Sequence, residues 1–206
     1  DMQPKVDGQS IPLWESILVK AGQILELNFC LNGARTYIAF SGGIDIPSWL
    51  NSKSTFHKAG VGGIDGHAIQ EGQKISLGKS HGAFGKKVKS EAIPEMSKSG
   101  LWEIEVVRGP NDDWLDENGY KTFLQAEWKL QARSDRTGFR LDGPQLTFME
   151  KAVNKPPEHG YEPSNIIDQG YPIGGINLAG QTPIILVNDG PSMGGFIVPY
   201  TVPSAS

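Results

Sequence analysis

Glycine and proline interrupt this chain so often that short strands joined by turns are the expected architecture. The 206 residues include 26 glycines and 14 prolines. Glycine adopts left-handed backbone angles and permits close backbone approach, whereas proline fixes φ. Many turns separated by short apolar runs are typical of an all-β fold.

Four compact glycine-containing segments each place charged side chains among residues that demand special backbone angles. They are residues 42–47, 108–114, 134–144 and 189–196. Loops that hold polar groups on a rigid frame carry a disproportionate share of binding and catalytic residues. We therefore expect the functional residues of this chain to lie in these segments.

The composition bounds the class of protein. A hydrophobic content of 38% and a charged content of 20% indicate a globular chain. The net charge of −4 argues against a nucleic-acid partner. No apolar run approaches the roughly 18 residues of a membrane span, so no membrane partner is expected. Cys30 is the single cysteine, and no secretory leader is visible, which favours a cytoplasmic location.

Apolar and polar residues alternate in several short runs, as they do in half-buried strands. Strands are predicted at residues 25–31, 36–40, 101–107, 182–187 and 196–198. The sequence therefore predicts a mainly β fold, an antiparallel barrel or sandwich with one or two short helices.

One helix is predicted after Asp112 and Asp113, either of which could cap its first turn. Gly119 lies inside this segment and lowers its helix propensity. The apolar side of the helix is formed by Trp114, Leu115, Phe123 and Leu124.

Two familiar catalytic patterns are weak here. The run Gly190-x-Ser192-x-Gly194 matches the nucleophile turn of α/β-hydrolases, but that turn must lead into a helix. Residues 195–199 instead have the pattern of a strand, so a tight loop between strands is the better interpretation. The four histidines are scattered and there is one cysteine, so no metal site is predicted.

Asp135, Arg136 and Arg140 form the most distinctive charged cluster. One interpretation is a structural set of ion pairs that braces neighbouring loops. The other is an anion or oxyanion site with a nearby carboxylate base, because guanidinium groups bind planar carboxylates through paired hydrogen bonds. The residues alone leave both interpretations open.

Motifs in a fixed order along nearly the whole chain carry a resemblance to a known family. They are residues 7–14, 33–37, 42–47, 52–56 and 62–66, followed by the three later glycine-containing segments. With these motifs, the chain resembles the carboxyltransferase domain of urea carboxylase, also called urea amidolyase. More specifically, it is similar to the half shared with KipA-like proteins and with one of the subunits of bacterial 5-oxoprolinase.

The segments at 189–196 and 163–168 resemble the urea carboxylase branch, with departures at four positions. Lys53 and His67 stand where the family usually has arginine. Residues 162–168 are Glu-Pro-Ser-Asn-Ile-Ile-Asp, whereas urea carboxylases resemble His-Pro-Ser-Asn-Ile-His-Asp there. Glu162 and Ile167 therefore each stand where a histidine is usual. If the resemblance holds locally, Ile167 faces the small-amide pocket and cannot hydrogen-bond a substrate there, which puts urea itself in doubt.

The resemblance implies a fold and a domain arrangement. The fold is a cyclophilin-like antiparallel β-barrel. Residues 1–206 are expected to be the C-terminal part of a KipA-like carboxyltransferase subdomain, with the family's opening segment and the KipI-like half absent.

The resemblance also implies an activity, the transfer of a carboxyl group from carboxybiotin to a small amide nitrogen, with urea as the first candidate. Biotin arrives on a separate carrier domain, and ATP is used by a separate biotin carboxylase domain. The isolated chain is expected to be inactive. The alternatives are a subunit of ATP-dependent 5-oxoprolinase and a non-catalytic KipA-like regulatory protein.

Site residues follow from placing this chemistry on the motifs. Arg136 and Arg140 would stabilise negative charge during transfer, and Asp135 would take a proton from the attacking nitrogen. The glycines of the last loop would let a ligand approach backbone N–H groups. The predicted substrate or biotin ligands are Asp168, Asn177, Asp189, Gly190, Ser192, Gly194 and Gly195.

Overall fold

A computed structural model describes residues 2–31, 33, 35–82 and 84–203 of the chain. The chain divides into two compact units, residues 1–101 and residues 102–206. In the part of the chain that the structure describes, no helix has the length and apolar character needed to cross a membrane.

The first unit consists mainly of turns and very short strands. The strands are β1 (Lys5–Val6), β2 (Gln9–Ser10), β3 (Leu25–Glu26), β4 (Thr55–Phe56) and β5 (Val61–Gly62), and a 3₁₀ turn spans Ser90–Ala92. They pair in the order β2-β1-β3 and as the hairpin β4-β5. The longer strand predicted at 25–31 is wrong beyond residue 26. Phe29 is 93% exposed, so the alternation there marks no buried face.

The second unit contains the longer strands and both of the α-helices found among the described residues. Its elements are β6 (Val107–Arg108), α1 (Glu117–Gln125), β7 (Lys129–Leu130), β8 (Gly138–Asp142), α2 (Glu150–Val153), a 3₁₀ turn (Pro157–His159), β9 (Asn165–Gly170), β10 (Gly175–Ala179), β11 (Thr182–Leu186), β12 (Met193–Phe196) and β13 (Tyr200–Thr201). Six strands form one antiparallel sheet in the order β6-β13-β10-β11-β8-β7, and β9 pairs with β12. The mainly β prediction with short helices is confirmed. The larger sheet is open, with β6 and β7 at its edges.

The register of three central strands aligns two polar residues. Ile184 of β11 lies opposite Arg140 of β8 on one side and opposite Asn177 of β10 on the other. Directly opposed residues of antiparallel strands project from the same face of a sheet. Arg140, Ile184 and Asn177 therefore form one row, and all three belong to the same face.

The hydrophobic core lies on the other face of this sheet. Ile176 and Leu178 flank Asn177 in β10, and successive strand residues point to opposite faces. Both side chains are at most 3% exposed and pack in a cluster with Phe123 of α1 and Tyr200 of β13, whose rings stack with centroids 4.8 Å apart. The helix thus covers one face, which leaves the polar row facing away from it.

Helix α1 begins later than the sequence suggests. Asp116 is the cap, since its Oδ1 accepts a hydrogen bond of 2.7 Å from the N–H of Gly119. The prediction that Asp112 or Asp113 caps the helix is wrong. Both carboxylates are instead engaged by cations, Arg108 and Lys151 respectively.

Gly119 has a packing role that its low helix propensity conceals. A Cβ at this position would lie 2.2 Å from the carbonyl oxygen of Thr147. The glycine therefore lets the first turn of α1 lie directly against the backbone of the following segment. Close backbone approach of this kind outweighs the entropic cost of a helical glycine.

Replacing Asp116 with alanine should lower the free energy of unfolding by about 1 kcal/mol near neutral pH, the usual value of a lost cap. The hydrogen bond from the Thr147 hydroxyl, and then that from the Gly119 N–H, lower the pKa of Asp116 below its ordinary 3.8. A lowered folded-state pKa stabilises the fold above the unfolded value, and this stabilisation is lost as pH falls through the folded value.

The difference between wild type and Asp116→Ala should therefore shrink below about pH 4. Guanidinium chloride unfolding at pH 7, 5 and 3 measures it. Asp113→Ala is the control, because the Asp113 side chain is 67% exposed and does not cap α1. A difference that stays constant across this pH range would contradict the capping role.

Candidate functional site

A cavity of about 210 Å³ lies on the polar face of the larger sheet. Strands β8, β10 and β11 form one side, and β12 with the turn before it forms another. The lining residues are Thr137, Gly138, Arg140, Tyr171, Asn177, Ile184, Leu186, Pro191, Met193, Gly194, Gly195 and Phe196. Four predicted site residues, Arg140, Asn177, Gly194 and Gly195, are thus brought together.

Arg140 supplies the positive charge of the cavity. Its backbone N–H donates to the Ser134 hydroxyl at 3.0 Å, which joins β8 to the preceding loop. Among the residues that the structure describes, no hydrogen bond or ion pair engages its guanidinium group. An arginine whose donors are available beside a cavity can bind a planar carboxylate or a developing oxyanion.

Asn177 supplies a buried hydrogen-bond acceptor. The residue is 3% exposed, and its Oδ1 has no hydrogen-bond partner among the described residues. Leaving such an atom unsatisfied costs about 1–3 kcal/mol. A ligand N–H entering the cavity would remove that cost, so this oxygen is a candidate ligand contact.

Tyr171 is a cavity residue that the sequence reasoning missed. Its hydroxyl oxygen accepts a hydrogen bond of 2.7 Å from the N–H of Phe196. Burial raises the pKa of Tyr171, with a further rise from the negative charge of Asp168, and hydrogen bonds from Phe196 and Asn177 oppose the rise. The hydroxyl is protonated at neutral pH, as that of an ordinary tyrosine is, and the raised pKa is in the same direction. Its sequence signal was slight, a single aromatic residue directly after β9.

Gly194 and Gly195 allow two side chains to lie against the backbone of β12. A Cβ on Gly194 would lie 2.9 Å from the Tyr171 hydroxyl oxygen. A Cβ on Gly195 would lie 3.2 Å from Oδ1 of Asp168. Asp168 is exposed and sits beside the wall of the cavity, outside its lining.

Asp135, Arg136 and Asp189 are engaged in loop contacts. Oδ1 of Asp135 accepts hydrogen bonds from both the N–H and the hydroxyl of Thr137. Nε of Arg136 lies 2.8 Å from Oδ2 of Asp189, and a second contact joins Nη2 to Oδ1 at 3.2 Å. The N–H of Asp189 also donates to the Arg136 carbonyl at 3.2 Å. The bracing interpretation therefore describes the Arg136–Asp189 pair.

Gly190 and Ser192 shape the turn before β12. The N–H of Gly190 donates to the Val187 carbonyl at 2.8 Å, and the Ser192 carbonyl accepts the N–H of Tyr171 at 2.8 Å. Strand β12 begins at Met193, directly after Ser192. The predicted loop between two strands is confirmed, since β11 precedes these residues and β12 follows them, whereas the nucleophile turn leads into a helix.

The departures from the family pattern lie outside this cavity. Ile167 is 59% exposed and does not line the cavity, contrary to the expectation that it faces a small-amide pocket. Lys53 belongs to the first unit, where its Nζ donates to the Ile44 carbonyl at 2.9 Å. His67 is exposed in the same unit, and the Glu162 carbonyl accepts a hydrogen bond from Lys155.

Comparison with known proteins assigns the family. The family model for the carboxyltransferase domain, subdomain A and B, matches residues 1–206. The chain belongs to this family. This carboxyltransferase-domain chain is 35% identical over 207 residues to urea amidolyase of Saccharomyces cerevisiae, which covers 97% of the chain and 11% of that protein. It superposes on the crystal structure of K. lactis urea amidolyase with a TM-score of 0.87 and 32% identity, covering 97% of the chain and 12% of that structure.

A second branch of the family is also similar. The chain is 30% identical over 198 residues to a 5-oxoprolinase subunit of Escherichia coli, which covers 94% of the chain and 57% of that protein. The chain thus spans about a tenth of the yeast relatives and about half of the bacterial one. The family is common to both branches, and the two differ in what their names say they act on.

Gly194→Ala should lower the free energy of unfolding by about 1–3 kcal/mol, the usual cost of overpacking. The added methyl would contact the Tyr171 ring and hydroxyl, and the bond from the Phe196 N–H to that hydroxyl would break. Gly170→Ala is a matched control in the paired strand β9, because nothing lies within 4 Å of a Cβ there. Guanidinium chloride unfolding compares the two variants. Equal stability of both would show that Tyr171 does not pack against Gly194.

Proposed function

We propose that this chain forms part of a biotin-dependent carboxyltransferase that moves a carboxyl group from carboxybiotin to a small amide nitrogen, with urea as the first candidate. The observation that carries the proposal is the pair formed by Arg140 and Asn177. Arg140, whose guanidinium is available, and Asn177, whose carbonyl oxygen is unsatisfied among the described residues, both line one small cavity. Family membership and the similarity to urea amidolyase support the same reaction.

The cavity residues fit the group that carboxybiotin would present, an activated carboxyl attached to a ureido ring. The Arg140 guanidinium would bind the carboxyl oxygens through paired hydrogen bonds. Gly194 and Gly195 offer a wall without side chains, against which a flat ring can lie. When bound, carboxybiotin would supply the carboxyl group.

Arg140 would stabilise the negative charge that develops as the carboxyl group leaves its carrier, the contribution expected to be largest. We assign the base role to Asp168 in preference to Asp135. Oδ1 of Asp135 is committed to Thr137, whereas Asp168 lies against Gly195 beside the cavity. A base must lie within hydrogen-bond reach of the proton that it removes, directly or through one water.

The remaining predicted residues would act on the shape of the site. Arg136 and Asp189 would hold the loop after β7 against the loop after β11, through their paired contacts. Gly190 and Ser192 would set the turn that leads into β12. These four residues then position the wall of the cavity and need not touch the substrate.

The wider arrangement follows the family resemblance. Residues 1–206 would form the C-terminal part of a KipA-like subdomain of a cyclophilin-like β-barrel. A KipI-like half would complete the carboxyltransferase, with a biotin carrier and an ATP-using biotin carboxylase alongside, in the cytoplasm. The small share of the yeast urea amidolyase that the chain covers, 11%, supports such neighbours.

In the polypeptide that carries this chain, Arg140→Lys should lower kcat for urea-dependent ATP turnover by about 10²-fold or more, because a lysine cannot reproduce the guanidinium fork. The melting temperature should stay close to that of wild type. Arg133→Lys is the matched control, since Arg133 lies outside the cavity and binds Gln131.

One result would overturn the role of Arg140, and another would overturn the proposed division of the reaction between domains. The first is a sharp fall in melting temperature with unchanged turnover per folded molecule, which would make Arg140 structural. The second is urea-dependent ATP turnover by residues 1–206 alone, because the proposal places ATP use in another domain.

A second candidate function is that of the matching 5-oxoprolinase subunit. The observation that favours it is coverage, since the chain matches 57% of the Escherichia coli protein. ATP hydrolysis by the carrying polypeptide and its neighbours distinguishes the two. Stimulation by urea supports carboxyl transfer, and stimulation by 5-oxoproline with no response to urea supports the second candidate.

A further inference from the structure

The Tyr171 hydroxyl has hydrogen-bonding capacity to spare. A phenolic hydroxyl accepts two hydrogen bonds and donates one. The Phe196 N–H uses one acceptor position at 2.7 Å. No hydrogen bond among the described residues uses the hydroxyl proton. Since Tyr171 lines the cavity, this proton is available to an acceptor on a ligand there.

Asn177 supplies a hydrogen-bond acceptor, whereas Tyr171 supplies a donor. The Oδ1 of Asn177 is buried and has no partner among the described residues. A carbonyl oxygen accepts hydrogen bonds and cannot donate them. Tyr171 and Asn177 together therefore present one donor and one acceptor on neighbouring side chains of the same cavity.

We propose that Tyr171 and Asn177 recognise the amide group of the substrate and fix its orientation. The Tyr171 hydroxyl donates to the amide carbonyl oxygen, and Asn177 Oδ1 accepts an amide N–H. The substrate class is a compact amide with at least one N–H, and fully N-substituted amides are rejected. This inference rests on the proposed function and names the residues that select its substrate.

The sheet register separates Asn177, which would bind the amide, from Arg140, which would bind the carboxyl group. Arg140 and Asn177 lie on opposite sides of Ile184 in the same row, two strand spacings or roughly 10 Å apart along the sheet. The apolar Ile184 side chain lies between them and lines the cavity. The amide would bind at the Asn177 end, and negative charge would gather at the Arg140 end.

Two probes that differ only in their N–H groups test the inference. Acetamide offers a carbonyl oxygen and two N–H donors, whereas N,N-dimethylacetamide offers the carbonyl alone. Their dissociation constants are measured by ligand-observed NMR with the polypeptide that carries the chain, and their inhibition of urea turnover is measured in parallel. Wild type should bind acetamide about tenfold more tightly, the value of one satisfied buried acceptor.

The variants separate the two roles. Asn177→Leu should bring the acetamide preference close to one, and Asn177→Asp, which keeps an acceptor oxygen, should retain it. Tyr171→Phe should weaken both probes by a similar factor, about tenfold, because both carry the carbonyl. Tyr161→Phe is the matched control, since Tyr161 is 94% exposed, and it should bind both probes as wild type does.

The outcomes also distinguish this inference from the proposed function. If Asn177→Leu keeps the wild-type preference, the preference is steric and the inference is wrong, as it is if neither probe binds. If the probes follow the expected pattern but no amide is carboxylated, the amide site stands and the proposed reaction falls. If urea is carboxylated while the variants leave the preference unchanged, the inference alone fails.

Discussion

The antiparallel register of β8, β11 and β10 is the constraint that sets the geometry of the site. It places Arg140 and Asn177 on either side of Ile184, on the face turned away from the hydrophobic core. A shift of one residue in the pairing of β8 with β11 would turn β8 over. Arg140 would then enter the core, at the cost of an unpaired buried charge. The same alternation that buries Ile176 and Leu178 therefore also builds the cavity.

Unsatisfied polar groups in the cavity lower the stability of the fold. The Asn177 Oδ1 is buried without a partner among the described residues, and the available Arg140 guanidinium lines the same cavity. Polar groups left unsatisfied in this way are typical of sites arranged for a ligand, since binding recovers the cost. Gly194 contributes by leaving room for the Tyr171 hydroxyl. Around this site, ordinary contacts supply the rigidity, including the Arg136–Asp189 pair and the stack of Phe123 on Tyr200.

Sequence reasoning reached the mainly β class, the family and several cavity residues, although not the predicted barrel, since the larger sheet is open. It failed where the answer depends on non-local pairing. Arg140 and Asn177 were both predicted, but nothing in either motif indicates that Ile184 would align them. Tyr171 gave almost no signal, because its role comes from the Phe196 N–H, 25 residues away. Asp135 has the residue type of a base, yet its Oδ1 accepts hydrogen bonds from Thr137 in its own turn. In the first unit, alternation around Phe29 indicated a strand, although no layer buries that side chain.

A crystal structure of the carrying polypeptide with bound urea would decide whether this cavity is the substrate site. We expect urea in the cavity on the β8-β11-β10 face. One urea nitrogen should lie about 3 Å from Asn177 Oδ1, with the urea oxygen at a similar distance from the Tyr171 hydroxyl. The Arg140 guanidinium should remain free of protein carboxylates and open to the carboxyl group. Urea bound away from this face, or Arg140 paired with a carboxylate of the protein, would contradict this assignment.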